Sequence, residues 1–231
     1  MAPSSSSRPA SSRSASRPVR SRPASSRLAD IAAAHGVDDP RVLQALRDIP
    51  RAAFVPPEHV DIADRDQPVP IPHGQVTTQP SLVAAMIEAL ELAGDESVLE
   101  VGTGYGYQTA LLARLCRFVW SVERWPDLAA AARANLAAAG IANADVRVGD
   151  GSVGLPEHAP FDGIVVAAAF PRVPPPLAAQ LAAGGRLVQP IGPGGEEEVM
   201  VFTKRDHALC RLRPVTLARF VRLVGAHGYP D

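Results

Sequence analysis

The stretch Val98-Leu99-Glu100-Val101-Gly102-Thr103-Gly104-Tyr105-Gly106-Tyr107-Gln108-Thr109 constrains this 231-residue chain more than any other. A short apolar run, bounded by polar residues before it and glycines after it, has the pattern of a buried parallel strand. Gly102, Gly104 and Gly106 carry no Cβ, so the backbone can turn sharply there and a ligand can approach it closely. Good helix formers follow from Thr109 to Leu115. Strand, glycine turn and helix in this order place a nucleotide-like ligand at the carboxyl edge of the first parallel strand. The spacing is Gly-x-Gly-x-Gly, not the Gly-x-Gly-x-x-Gly of a dinucleotide site, which argues against a nicotinamide cofactor. Taken alone, a glycine turn is equally compatible with a tight connection that binds nothing.

Downstream, strand and helix alternate: strand Phe118 to Glu123, helix Pro126 to Ala139, strand Asp145 to Gly149, strand Asp162 to Ala167, helix Pro176 to Ala183 and strand Gly185 to Ile191. Continuous apolar strands such as Ile164-Val165-Val166 predict an α/β, Rossmann-like, doubly wound and mostly parallel sheet with helices on both faces. Val199 to Thr203 and Cys210 to Val224 extend it as further strands, the last pair antiparallel. Upstream, helical spacing predicts short helices over Leu28 to Ala34 and Pro40 to Asp48, and a longer one over Ser81 to Leu92 with Thr78 or Gln79 at its cap. Between them Arg51 to Pro72 carries Pro56, Pro57, Pro68, Pro70 and Pro72, which predicts an ordered wrap without regular structure.

Two acids have the positions such a site needs. Glu123 ends the second strand about twenty residues beyond the first glycine, where a carboxylate accepts from both ribose hydroxyls. Asp150, in Gly149-Asp150-Gly151, ends the third, where it would meet an adenine amino group; a nicotinamide site has no need of this second acid.

Charge divides the chain. Residues 1–27 hold six Arg and no acid among Ser, Pro and Ala, which leaves about −7 on residues 28–231. The first segment cannot bury enough apolar surface to offset the entropy of ordering, and is expected to be a disordered, solvated tail. Residues 28–231 are expected to be one domain. Its acidity argues against nucleic acid as a partner, since phosphate binding needs a clustered basic face. Cys116 and Cys210 lie far apart and are expected to be buried thiols, and the six His have no metal-ligand spacing, so no metal is expected. No apolar run approaches the ~20 residues of a membrane span, and a soluble cytoplasmic protein is expected.

Leu99-Glu100-Val101-Gly102-Thr103-Gly104-Tyr105-Gly106-Tyr107-Gln108, Val122-Glu123-Arg124, Gly149-Asp150-Gly151 and Leu181 to Val188 together resemble the class I methyltransferases that use S-adenosylmethionine. Within them, Ile49-Pro50-Arg51-Ala52-Ala53-Phe54-Val55-Pro56, Gly74-Gln75-Val76-Thr77-Thr78-Gln79-Pro80, Pro156 to Asp162 and Pro190-Ile191-Gly192 resemble the protein-L-isoaspartate O-methyltransferases. The likeness runs from about Val42 to Tyr229. The glycine turn is shared by many methyltransferases; the Phe-Val-Pro and Gly-Gln-x-x-x-Gln-Pro segments in this order are specific.

The resemblance implies methyl transfer from S-adenosylmethionine to the α-carboxylate of L-isoaspartyl residues in damaged proteins and peptides. The ester then closes to a succinimide, whose hydrolysis returns some normal aspartate. It implies that Gln75, Val76 and Thr77 lie over the cofactor and that Gly102, Thr103, Gly104 and Gly106 line its methionine part. Glu123 and Arg124 then hold the ribose, Asp150 and Gly151 the adenine, and Glu100 lies near the amino group. The family's active-site serine falls at Thr78, where this chain departs: the hydroxyl is kept, and an added methyl stiffens the side chain. A monomer is expected. Two other activities fit the same residues: methylation of one dedicated peptide or small carboxylate, and cofactor binding without turnover.

Overall fold

The computed structural model describes residues 24–206 and 208–230, so most of the expected disordered tail lies outside the described residues. Helix α1 (Ala24–Ala34) begins before the expected boundary, because Leu28, Ala29 and Ala32 are buried and dock the turn that precedes them. Helix α2 (Pro40–Asp48) is capped by Asp39, whose carboxylate accepts from Arg41 N at 2.8 Å. It stops at Ile49, which Pro50 holds extended.

The following wrap is more regular than its prolines suggest. Two 3-10 turns, Arg51–Phe54 and Pro57–Ile62, lead to a hairpin of β1 (Val69–Ile71) and β2 (Gln75–Thr77). His73 and Gly74 both take positive φ, 63° and 66°, and Gln75 N donates to Pro72 O, which closes a turn of the kind that joins tight hairpins. Helix α3 (Pro80–Glu88) then starts at the expected proline, with Gln79 at its N-cap position, and ends earlier than its apolar pattern. Leu90 and Leu92 remain buried in the turn beyond it.

A seven-stranded sheet follows: β3 (Ser97–Val101), β4 (Phe118–Glu123), β5 (Ala144–Val148), β6 (Phe161–Val166), β7 (Leu181–Ile191), β8 (Glu197–Arg205) and β9 (Ala208–Ala218), in the order β5-β4-β3-β6-β7-β8-β9. The first five are parallel; β8 and β9 add antiparallel. Helices α4 (Tyr107–Ala113) and α5 (Pro126–Ala138) connect β3, β4 and β5, and α6 (Pro175–Gln180) precedes β7. Ala182 and Ala183, expected in that helix, belong to β7, where Leu181 pairs with Phe161.

Alternate strand residues feed two cores. Val98, Val165 and Val188 pack with α1 to α5 on one face, and Leu99, Ile164 and Leu187 pack with α6 and Leu223 on the other. Cys116 is buried, which pushes its thiol up to about 12, whereas Cys210 on edge strand β9 is only half-buried, contrary to expectation. Among the described residues no helix is long and apolar enough to cross a membrane.

Candidate active site

The chain leaves β3 on one side through α4, β4, α5 and β5, then returns to place β6 on the other. The crevice that opens between β3 and β6 at their carboxyl ends is where ligands bind in such sheets. Here Ala167 N donates to Val101 O and Gly102 N to Val122 O, both continuing the sheet by one step. A cleft opens above this point, bounded by Gly102, Thr103, Gly104, Glu123, Arg124 and Gly151. The hairpin residues Gln75, Val76, Thr77 and Thr78 form its roof. Ten of the thirteen sequence-predicted residues therefore meet at one cavity.

The other three do not border it. Gly106 sits at the N-cap of α4 with φ 90°, a left-handed conformation that a residue with a Cβ rarely adopts, so the turn's backbone itself calls for glycine there. Asp150 is taken up by protein: its carboxylate accepts from Ser152 N, Ser152 Oγ and Ala226 N, at 2.8, 2.6 and 2.6 Å. Burial alone would raise its pKa, and these bonds outweigh that and lower it. Asp150 thus anchors the C-terminal segment, whose residues Val221 to Val224 wall the cavity. Glu100 is fully buried beneath the turn, where its carboxylate accepts from Thr109 Oγ1 and Ser121 Oγ. Burial pushes its pKa up to about 7.

Glu123 keeps its expected place. Its two oxygens accept from Gly104 N at 2.8 Å and Trp125 N at 3.0 Å, which fixes the carboxylate at the rim with acceptor capacity to spare. Two polar atoms in the wall, Tyr107 Oη and Trp125 Nε1, are buried without a partner among the described residues, and beside them the Gln108 amide faces Glu100 and lowers its pKa. None was singled out from sequence, and for Tyr107 and Gln108 the signal was available, since both open the helix behind the glycines. Groups so placed suit a ligand rich in hydrogen-bonding atoms. The roof is tied down where His73 stacks on Trp125, with ring centroids 3.9 Å apart, and its Nε2 lies 2.8 Å from Asp127.

Thr78 stands where two cavities meet. With Val76, Ala167 and Val221 it borders both the cleft just described and a second one walled by Gln79, Leu82, Arg219 and Phe220. Its backbone is held by Arg51, a residue that sequence placed only within a family segment. The Arg51 guanidinium, 2% exposed, donates to Arg65 O, Gln67 O, Thr77 Oγ1 and Thr78 O at 2.7–3.2 Å. Asp66 holds the far side, accepting from Gln79 Nε2, Ser81 N and Ser81 Oγ, and so caps α3 from outside the helix. Among the described residues no group of His, Cys, Asp and Glu is placed to hold a metal ion.

A doubly wound sheet with this strand order, a glycine turn after its first parallel strand and an acid at the end of the next defines a class I methyltransferase. The chain belongs to the protein-L-isoaspartate(D-aspartate) O-methyltransferase family, whose model matches residues 24–228. The protein-L-isoaspartate O-methyltransferase of Anaeromyxobacter dehalogenans strain 2CP-C is 52% identical over 198 residues, 85% of this chain and 95% of the relative. That of Myxococcus xanthus is 48% identical over 200 residues, 85% of this chain and 94% of its own. A solved protein-L-isoaspartate O-methyltransferase superposes with a TM-score of 0.77 at 30% identity, over 88% of this chain and 67% of that one. The Plasmodium falciparum protein of that name, solved with S-adenosyl-L-homocysteine, shares the fold with a TM-score of 0.73 at 24% identity, over 86% of this chain and 97% of its own.

Proposed function

We propose that this chain methylates the free α-carboxylate of L-isoaspartyl residues with S-adenosylmethionine, and that the two substrates meet at Thr78. The observation that carries this is the shared wall: Thr78 borders the cleft above the glycine turn and the cavity beside it at once. The first cleft suits a nucleoside with an amino-acid arm, since Glu123 offers acceptors for ribose hydroxyls and Tyr107 and Trp125 bring unpartnered polar atoms to its wall. The second suits a polypeptide, being lined by the apolar Leu82, Val215 and Phe220 and bordered by Arg219, a cation for an anionic acceptor.

S-adenosylmethionine supplies an electrophilic methyl on a sulfonium. The acceptor carboxylate has an ordinary pKa near ~4 and is already ionised at neutral pH, so the protein need not remove a proton from it. What the chain contributes is orientation and exclusion of water. Thr78 donates its hydroxyl proton to one carboxylate oxygen and leaves the other to attack, while Arg51 fixes the Thr78 carbonyl and with it the side chain's direction. The hairpin roof, held by His73 on Trp125, covers the reacting groups. Because a single chain builds the whole site, a monomer suffices. Isoaspartyl proteins and peptides of the cytoplasm are the proposed substrates.

The test is transfer of labelled methyl to matched peptides, one with L-isoaspartate and one with L-aspartate. Base-labile label on the isoaspartyl peptide alone is expected. Thr78→Ala should cut kcat about 10- to 100-fold, the loss of one hydrogen bond to a charged group, and Thr78→Ser should keep or raise it. No transfer to either peptide, with S-adenosylhomocysteine still bound, would move the activity to a dedicated carboxylate or to binding alone. Glu123→Ala should weaken S-adenosylhomocysteine at least tenfold in calorimetry, and an unchanged affinity would remove the ribose role.

A further inference from the structure

Ser121 lies on β4 with no exposed surface and does not border the cofactor cleft, yet it links the buried Glu100 to a residue that does. Thr109 Oγ1 and Ser121 Oγ both lie on Glu100 Oε2, at 2.5 and 2.6 Å, and Ser121 Oγ lies 2.5 Å from Thr103 Oγ1. Glu100, Thr109 and Ser121 are wholly buried, and Thr103 forms part of the cleft wall. An ionised carboxylate can only accept, and a serine hydroxyl has one proton. Ser121 directs that proton to Glu100, so in the contact with Thr103 it is the acceptor and Thr103 the donor. The Thr103 oxygen is then left with lone pairs alone, between the two glycines of the turn.

We propose that Ser121 is a positioning residue for the cofactor: it passes the charge of Glu100 to Thr103, so that the cleft wall presents an acceptor to the ammonium group of the amino-acid arm. This rests on S-adenosylmethionine being the ligand of the first cleft. The arrangement answers a problem of burial, because a carboxylate with no exposed surface cannot touch the ligand itself, whereas hydrogen-bonded hydroxyls in a low-dielectric interior polarise one another along the chain. It also separates two groups that a purely structural account would treat alike. Thr109 and Ser121 each give Glu100 one hydrogen bond, and only Ser121 continues to the wall.

The experiment is calorimetric binding at pH 8.5, where Glu100 is ionised, of S-adenosylhomocysteine and of its analogue with the amino group replaced by hydrogen. Ser121→Ala and Thr109→Val are compared with the parent. Ser121→Ala is expected to weaken S-adenosylhomocysteine about tenfold and to leave the deaminated analogue within threefold of its parent affinity. Thr109→Val, which removes a bond from the same carboxylate oxygen, is expected to leave both ligands within threefold. Equal losses of the two ligands in Ser121→Ala, or a loss of S-adenosylhomocysteine in Thr109→Val that matches it, would overturn the relay. If the parent chain bound neither ligand, the cofactor assignment itself would fall, and this outcome is seen before any variant is made.

Discussion

Replacing Arg51 by methionine is expected to lower the free energy of unfolding by about 4 kcal/mol, placing it among the most damaging single changes this fold can suffer. The side chain is 2% exposed, and its nitrogens serve acceptors from two separate pieces of chain: the loop carbonyls of Arg65 and Gln67, and the Thr77 hydroxyl with the Thr78 carbonyl at the end of β2. It also lies over the Tyr107 ring, 5.9 Å from the centroid. Taking a guanidinium out of water is costly, and burial pulls its pKa down to about 10, but it stays charged at neutral pH. Methionine matches the length of the stem and offers no donor, so several buried acceptors are left bare at about 1–3 kcal/mol each, with partial relief from rearrangement.

Lysine keeps the charge with three donors on one atom and cannot span acceptors that fan out around a planar fork. Arg51→Lys should therefore fall between, near 2 kcal/mol. Urea unfolding followed by circular dichroism reads both values. An Arg51→Met protein within 1 kcal/mol of the parent would show that the wrap is held by its apolar contacts, Phe54 above all, and that Arg51 is incidental. Folded Arg51→Lys should also lose kcat more than cofactor affinity, since it loosens Thr78 and leaves Glu123 untouched.

Arg51 also shows what sequence does and does not disclose. The parallel sheet was legible because its strands are continuous apolar runs between turn residues, and the span Phe118 to Glu123 agrees to the residue. Gly102, Gly104 and Glu123 were legible because the ligand imposes their types and their separation along the chain. Hairpin β1–β2 was not, since three-residue strands carry no period, and Pro70 within one of them argues against a strand. Gln75 to Thr77 were nonetheless placed over the cofactor, and Thr78 at the acceptor carboxylate, through the family resemblance alone.

The two acids that do not border the cleft share one feature. Asp150 was assigned to the ligand by its position at a strand end and Glu100 through the family resemblance, and each meets a partner distant in sequence: Ala226 for Asp150, Ser121 for Glu100. Nothing local in Gly149-Asp150-Gly151 signals that residues 221–229 come back over it. The same return explains why the last expected strand was drawn too long. Strand β9 ends at Ala218, and Val221 to Val224 leave the sheet edge to wall the cleft, with Leu223 bonded to Ala169.

Glu100 should also make the protein lose stability as pH rises, the reverse of the usual carboxylate. Its ordinary pKa of 4.5 belongs to the unfolded chain, and burial beneath the glycine turn raises the folded value to about 7, against the lowering effect of Ser121, Thr109 and Gln108. Between these two values the folded protein holds a proton that the unfolded chain has released, so raising the pH favours unfolding across that window. A shift of this size corresponds to about 3 kcal/mol, fully lost above pH 7. Asp39, Glu96, Asp127 and Asp150 have lowered values and act with the opposite sign, gaining stability as pH rises through the acid range, so the raw pH profile mixes both. Comparison with Glu100→Gln cancels them, since glutamine keeps the shape and takes up no proton. The stability of the parent relative to Glu100→Gln should fall by about 3 kcal/mol between pH 4.5 and pH 8, read from urea midpoints at half-unit steps. A difference that stays constant within 1 kcal/mol would mean that Glu100 is ionised throughout, held so by its hydroxyl partners against the full cost of burial.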